Sequence, residues 1–132
     1  MALQASLALL LTAFLFGGML LFSFAFAAFL FTHLPAADAG KMLRRAFPHF
    51  YLGVIIVAAV AALLYVRLDA AGAVYLSGVA LSTLPARQLL MPAINEASDT
   101  GDRSRFNRLH GLSVVIGILQ IVVVGYVLVR SV

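Results

Sequence analysis

Residues Ala5 to Phe31 read ASLALLLTAFLFGGMLLFSFAFAAFLF, without one charged side chain. A helix needs roughly 20 apolar residues to cross the hydrocarbon of a bilayer, and this run exceeds that length. Three further runs follow: Phe50 to Val66, Ala73 to Met91 (interrupted by Arg87 and softened by Pro85), and Leu112 to Val129. None alternates with period two as a barrel strand does. None carries the charged face of a soluble amphipathic helix. Backbone groups in lipid must be satisfied within their own segment, which favours helices. The expected fold is therefore all-α: a polytopic membrane protein, a four-transmembrane-helix bundle, in one domain over residues 1–132 with spans at about 5–31, 50–66, 73–91 and 112–129.

Composition agrees. Of 132 residues, 64% are hydrophobic and 11% charged, and the mean hydropathy is +1.08. One small globule cannot hide so much apolar surface, so lipid must cover much of it. Cysteine is absent, which excludes disulfides, thiolate chemistry and cysteine metal sites. Ala25-Phe26-Ala27 has the small-x-small pattern of a signal cleavage site. However, no Lys or Arg precedes the apolar run, which is longer than the about 7–15 residues of a signal core, so a retained helix is expected.

The net charge of +4 sits in short segments beside apolar runs. That placement points to anionic lipid headgroups as partners and away from nucleic acid. With four spans, the termini share a side with the loop after the second span, which carries Arg67; Arg130 lies there too. The other side carries Lys41, Arg44, Arg45, Arg103, Arg105 and Arg108. Basic loops stay inside, so both termini are expected outside and these six residues at cytoplasmic headgroups. Tyr65, Tyr75 and Tyr126 then fall at outer span ends as an aromatic belt. Pro35 suits the start of a short interfacial helix ended by Pro48, with Ala39, Met42, Leu43, Ala46 and Phe47 toward lipid. Asp102 is a candidate N-cap that starts the fourth helix about two turns before its span.

Polar residues inside a membrane carry the functional information. His110, Ser113, Gly117 and Gln120 share one helix face, and small and polar residues on one face mark helix packing; Ser113, Gly117 and Gln120 are expected inside the bundle. Thr12 and Ser23, and Thr83 with Ser82 beside it, suggest the same for spans one and three. Arg87, His110, Asn95 and Glu96 lie near one mouth of the bundle. A buried guanidinium needs an acceptor or an anion, so these four are the candidate ligand-binding residues, with Arg87 and His110 expected in one network. The plain alternatives are that Arg87 snorkels to headgroups and His110 bonds a backbone carbonyl. His33, His49 and His110 are candidate ligands for a metal or haem, without a specific spacing motif. No cofactor is required by the sequence. No Walker motif, nucleophile elbow or close carboxylate pair is present, so nothing points to an enzyme and no catalytic residue is assigned.

Ordered blocks carry a family resemblance. They run from Gly17-Gly18 through Phe29-Leu30-Phe31 and Leu34-Pro35 to Gly40, then Phe47-Pro48 with Phe50 and Tyr51, then Ala86-Arg87 with Pro92, then Phe106-Asn107-Arg108-Leu109-His110-Gly111-Leu112-Ser113. Together they resemble the transmembrane protein 205-like family, whose bacterial members carry a domain of unknown function. The resemblance implies a four-helix integral membrane protein and no settled activity; a bacterial inner membrane, with both termini periplasmic as the loop charges indicate, is the expected location. It adds weight to Arg87 and His110 and none to His33 and His49. The leading functional reading is a ligand-binding or transport-related protein with a polar cytoplasmic-side pocket. The alternatives are an accessory or scaffold subunit of a membrane complex, associating with a membrane protein partner or a second copy, and a haem- or metal-linked redox protein.

Overall fold

A computed structural model describes residues 2–132. All of its regular structure is helical, with no strand among the described residues. Helix α1 spans Ala2–His33, with a π-helical turn at Leu21–Phe26. Helix α2 spans Ala36–Tyr65. Helix α3 covers residues 70–99, α-helical over Ala70–Pro85 and Met91–Asp99 around a π turn at Ala86–Leu90. Helix α4 spans Arg103–Arg130. Each helix packs on its sequence neighbours, and α1 returns to α4 to close the ring. Helices α1, α2 and α4 are each long and apolar enough to cross a membrane. Large side chains such as Leu10, Phe14, Leu63, Val74, Leu89 and Val129 stand exposed on the outside of the bundle. In water so wide an apolar surface would drive aggregation; hydrocarbon is its natural solvent.

Small residues set the packing. Ala58, Ala61 and Ala62 on α2 face Ala73, Leu76 and Ala80 on α3 within one core. Their short side chains allow close backbone approach, the usual driver of helix association where no hydrophobic effect acts between helices. Polar groups in this half are satisfied: Thr12 Oγ1 donates to Ala8 O at 2.7 Å and Gln4 Nε2 to Leu64 O at 2.7 Å. Tyr65 Oη and Ser131 Oγ lie 2.7 Å apart, and Ser131 Oγ donates to Val127 O, so the Tyr65 hydroxyl is the donor of that pair. Tyr65 is therefore a core residue, 3% exposed, and the expected three-tyrosine belt reduces to Tyr75 and Tyr126, whose rings meet edge to face at 5.6 Å.

Two expectations about element ends change. The interfacial helix does not stop at Pro48: α2 runs through it to Tyr65. A proline removes one i→i−4 bond and usually kinks or breaks a helix. Here packing holds both sides, with Phe22 of α1 stacked on Phe50 at 4.1 Å and meeting Phe47 edge to face at 5.1 Å. Ala39, expected toward lipid, is fully buried. The third helix does not end at Met91. Pro92 has no N–H to give, and Met91 N–H reaches back five residues to Ala86 O, so a π turn re-registers the ladder between Pro85 and Pro92. Asp102 caps the start of α4 as expected: its Oδ1 accepts from Arg105 N at 3.2 Å, nearly three turns before Leu112 at about 3.6 residues per turn.

At the end of the bundle where α4 finishes, Arg130 grips Asp69 with two N–H groups, Nε to Oδ2 at 3.1 Å and Nη2 to Oδ1 at 3.0 Å. This bond, above all, holds the Asp69 carboxyl below its ordinary value of 3.8; nearby amides of Gly72 and Ala71 add to it, while desolvation opposes it. A depressed carboxylate contributes stability above its unfolded value and loses it as pH falls through its folded value. Acidification below pH 3.8 should therefore destabilise the wild type, and Asp69→Asn should flatten that acid limb. Denaturation in mild detergent across pH checks this, and parallel curves for the two proteins would refute it.

Candidate ligand-binding cavity

Helix α1 contacts α4 through its first half; beyond the π turn it packs on α2. Its second half therefore diverges from the start of α4, and a cavity of about 790 Å³ opens between them. That volume lies in the range of small-molecule sites. Aromatic side chains dominate its walls: Phe24 and Phe31 from α1, Phe47, Phe50 and Tyr51 from α2, Phe106 from α4. Lys41, Arg44 and His110 bring basic groups to the same lining, and Ser113, Gly117 and Gln120 continue it along α4.

Each rim group has a definite state. Arg44 Nη2 donates to Asn95 O at 2.8 Å and pairs with Asp99 Oδ1 at 2.9 Å. It thus ties the first turns of α2 to the last turns of α3. Lys41 has no hydrogen-bond or ion-pair partner among the described residues. The His110 ring stacks on Phe106, planes 3° apart and centroids at 5.5 Å, and makes no side-chain hydrogen bond there. Ser113 Oγ donates to His110 O at 2.7 Å. At the inner end, Gln120 Nε2 donates to Ser82 Oγ at 2.8 Å and Thr83 Oγ1 at 3.0 Å. That bridge joins α3 to α4, and Gln120 is 8% exposed.

The four residues chosen from the sequence separate. Arg87 turns to α2: Nε donates to Pro48 O at 3.0 Å and Nη1 to Gln88 Oε1 at 2.9 Å. It does not line the cavity, and the expected Arg87–His110 network does not form. The physical reason is local: a helix carbonyl within reach satisfies a guanidinium without an anion. Asn95 lines the cavity. Glu96 is exposed and lies 3.9 Å from Arg105 Nη1. Arg45, Arg103 and Arg108 are exposed beside these elements.

The histidines also part company. His33 Nδ1 bonds Phe29 O at 2.9 Å with its ring against Phe29. His49 is exposed on α2 and His110 sits at the cavity. Among the described residues no three His, Asp or Glu side chains gather to hold a metal, so the three candidates do not form one site.

The aromatic walls escaped sequence reading, although Phe47, Phe50 and Tyr51 stand at helical spacing opposite Phe22 and Phe26. The Arg44–Asp99 tie could not be read either, because it depends on α2 and α3 both running past the expected span ends.

Residues 10–103 match the model of a domain of unknown function, DUF4149. No curated protein and no solved structure matches the chain. The match takes in most of α1, all of α2 and α3 and the turn into α4. On that extent the chain belongs to the DUF4149 family.

Proposed function

We propose that this is a four-span inner-membrane protein, with both termini periplasmic, that binds an anionic amphiphile in the cavity between α1 and α4. The resemblance to the transmembrane protein 205-like family fits the four-span part of this reading and adds no activity. One observation carries the ligand class: an aromatic-walled cavity of about 790 Å³ whose lining includes Lys41, Arg44 and His110. Apolar walls suit an acyl chain, and a cationic rim suits a carboxylate or phosphate. Lys41 is the group left for the ligand, since Arg44 already holds Asp99.

Native mass spectrometry of the detergent-solubilised protein with stearate, and with stearyl alcohol as the neutral control, tests the reading. Saturable binding of one stearate per chain is expected, with the alcohol bound less tightly. Losing one charge-assisted hydrogen bond is worth about 1.5–3 kcal/mol, so Lys41→Gln should weaken stearate roughly tenfold or more. Absent binding, or binding indifferent to headgroup charge, overturns the proposal.

The orientation has its own test. The chain lacks cysteine, so Thr100→Cys introduces a unique thiol in the turn before α4. An impermeant maleimide should leave it unlabelled in intact cells and label it after lysis. Labelling of intact cells would reverse the topology.

A further inference from the structure

Gln120 lies at the inner end of the cavity and is 8% exposed. Its amide orientation is fixed by its neighbours. The Ser82 and Thr83 hydroxyls both donate to Val79 O, at 3.1 and 2.7 Å. A hydroxyl has one proton, so each presents only lone pairs to Gln120, and the amide must turn its NH2 group toward them. The carbonyl oxygen Oε1 is left over. It accepts no hydrogen bond from any described residue. Nor is it sealed off, because no fully buried side-chain nitrogen or oxygen lacks a partner among the described residues. Gly117, one turn earlier on α4, also lines the cavity, and a Cβ built there would meet nothing within 4 Å. The cavity thus reaches one unpaired acceptor on α4, with open space at Gly117 one turn earlier.

An unpaired carbonyl in apolar surroundings is unfavourable unless an occupant donates to it. Resting on the amphiphile reading above, we propose that the ligand carries a hydrogen-bond donor on its apolar chain, a hydroxyl or an amide N–H, which Gln120 Oε1 accepts. Gln120 lies ten residues beyond His110, about 15 Å along α4 at 1.5 Å per residue. The donor therefore sits well down the chain from the anionic head. The site selects a hydroxylated acyl chain over a plain one. A plain chain leaves Oε1 unpaired and must strip water from its own surroundings without recompense.

Competition between stearate and mid-chain hydroxystearate, read by native mass spectrometry, tests this. The wild type should prefer the hydroxylated chain on the order of tenfold, the ratio that one recovered buried hydrogen bond supplies. Gln120→Met should bring that ratio toward one. Gly117→Leu places a side chain into the cavity one turn before Gln120, where a Cβ meets nothing within 4 Å, and should also reduce the preference; it serves if Gln120→Met fails to fold. Equal affinities in the wild type, or a preference that survives both substitutions, overturn this proposal and leave the amphiphile reading standing. Failure to bind either chain overturns both.

Discussion

Gly125→Leu is expected to destabilise the bundle by about 1–3 kcal/mol, the usual range for overpacking a filled core. A Cβ at this position would stand 2.9 Å from Phe16 Cε2 and 3.5 Å from Phe16 Cδ2 and Cζ. Val124 and Val127, both with no exposed surface, hold α4 in place on either side. Relief requires the half-buried Phe16 ring to shift or α1 to separate from α4. The contact of α1 with α4 runs mainly through the first half of α1, the half that carries Phe16. Thermal unfolding in mild detergent measures the loss. Phe16→Ala should recover part of it in the Gly125→Leu background and destabilise the otherwise wild-type chain, a coupling that distinguishes this clash from a general intolerance of α4. A Gly125→Leu protein as stable as the wild type would contradict the assigned contact.

Arg87→Met should destabilise the protein by about 1–2 kcal/mol, the scale of a hydrogen bond to a charged group partly open to solvent, without altering ligand affinity. Arg87 bonds the Pro48 carbonyl and the Gln88 side chain, so its loss loosens α2 against α3. The loss falls where both helices are already interrupted, α2 by Pro48 and α3 by its π turn. Hydrogen exchange should rise around residues 48–52 and 86–91 and stay level around Ala58 to Ala62. Stearate binding should hold, because Arg87 lies outside the cavity lining. Weakened anion binding with unchanged exchange would restore Arg87 as a ligand residue.

The helical class and the apolar stretches were legible because lipid imposes a simple rule on sequence, long uncharged runs with internally bonded backbones. The inward face of α4 was legible through Gln120, because an amide in hydrocarbon must find partners. Helix ends were not. Pro48 and Pro92 signal interruption locally, yet aromatic packing and a π turn carry α2 and α3 onward, and both effects depend on neighbours far away in sequence. The same distance hid the true partner of Arg87: need for an acceptor was readable, and the choice of Pro48 O, 39 residues away, was not. Asp69 and Arg130 form the bidentate pair at the other end of the bundle, and their opposite charges on one expected side were a signal that loop counting passed over. The cavity was the least legible, since it arises where α1 and α4 fail to meet.

The cavity ends against a closed half of the bundle, with Leu76 and Val124 fully buried beyond Gln120 and Tyr65 locked to Ser131. Those buried side chains leave no continuous path from the cavity through that half of the bundle. If the proposed amphiphile binds there, it would leave by the route it came, so exchange would proceed with one leaflet alone, and occupancy would follow the composition of that leaflet rather than any gradient across the membrane. Retention time then depends on how readily α1 parts from α4 beyond the Leu21–Phe26 turn. On the proposed reading, such a molecule would fill and empty from one monolayer without moving its cargo to the other side.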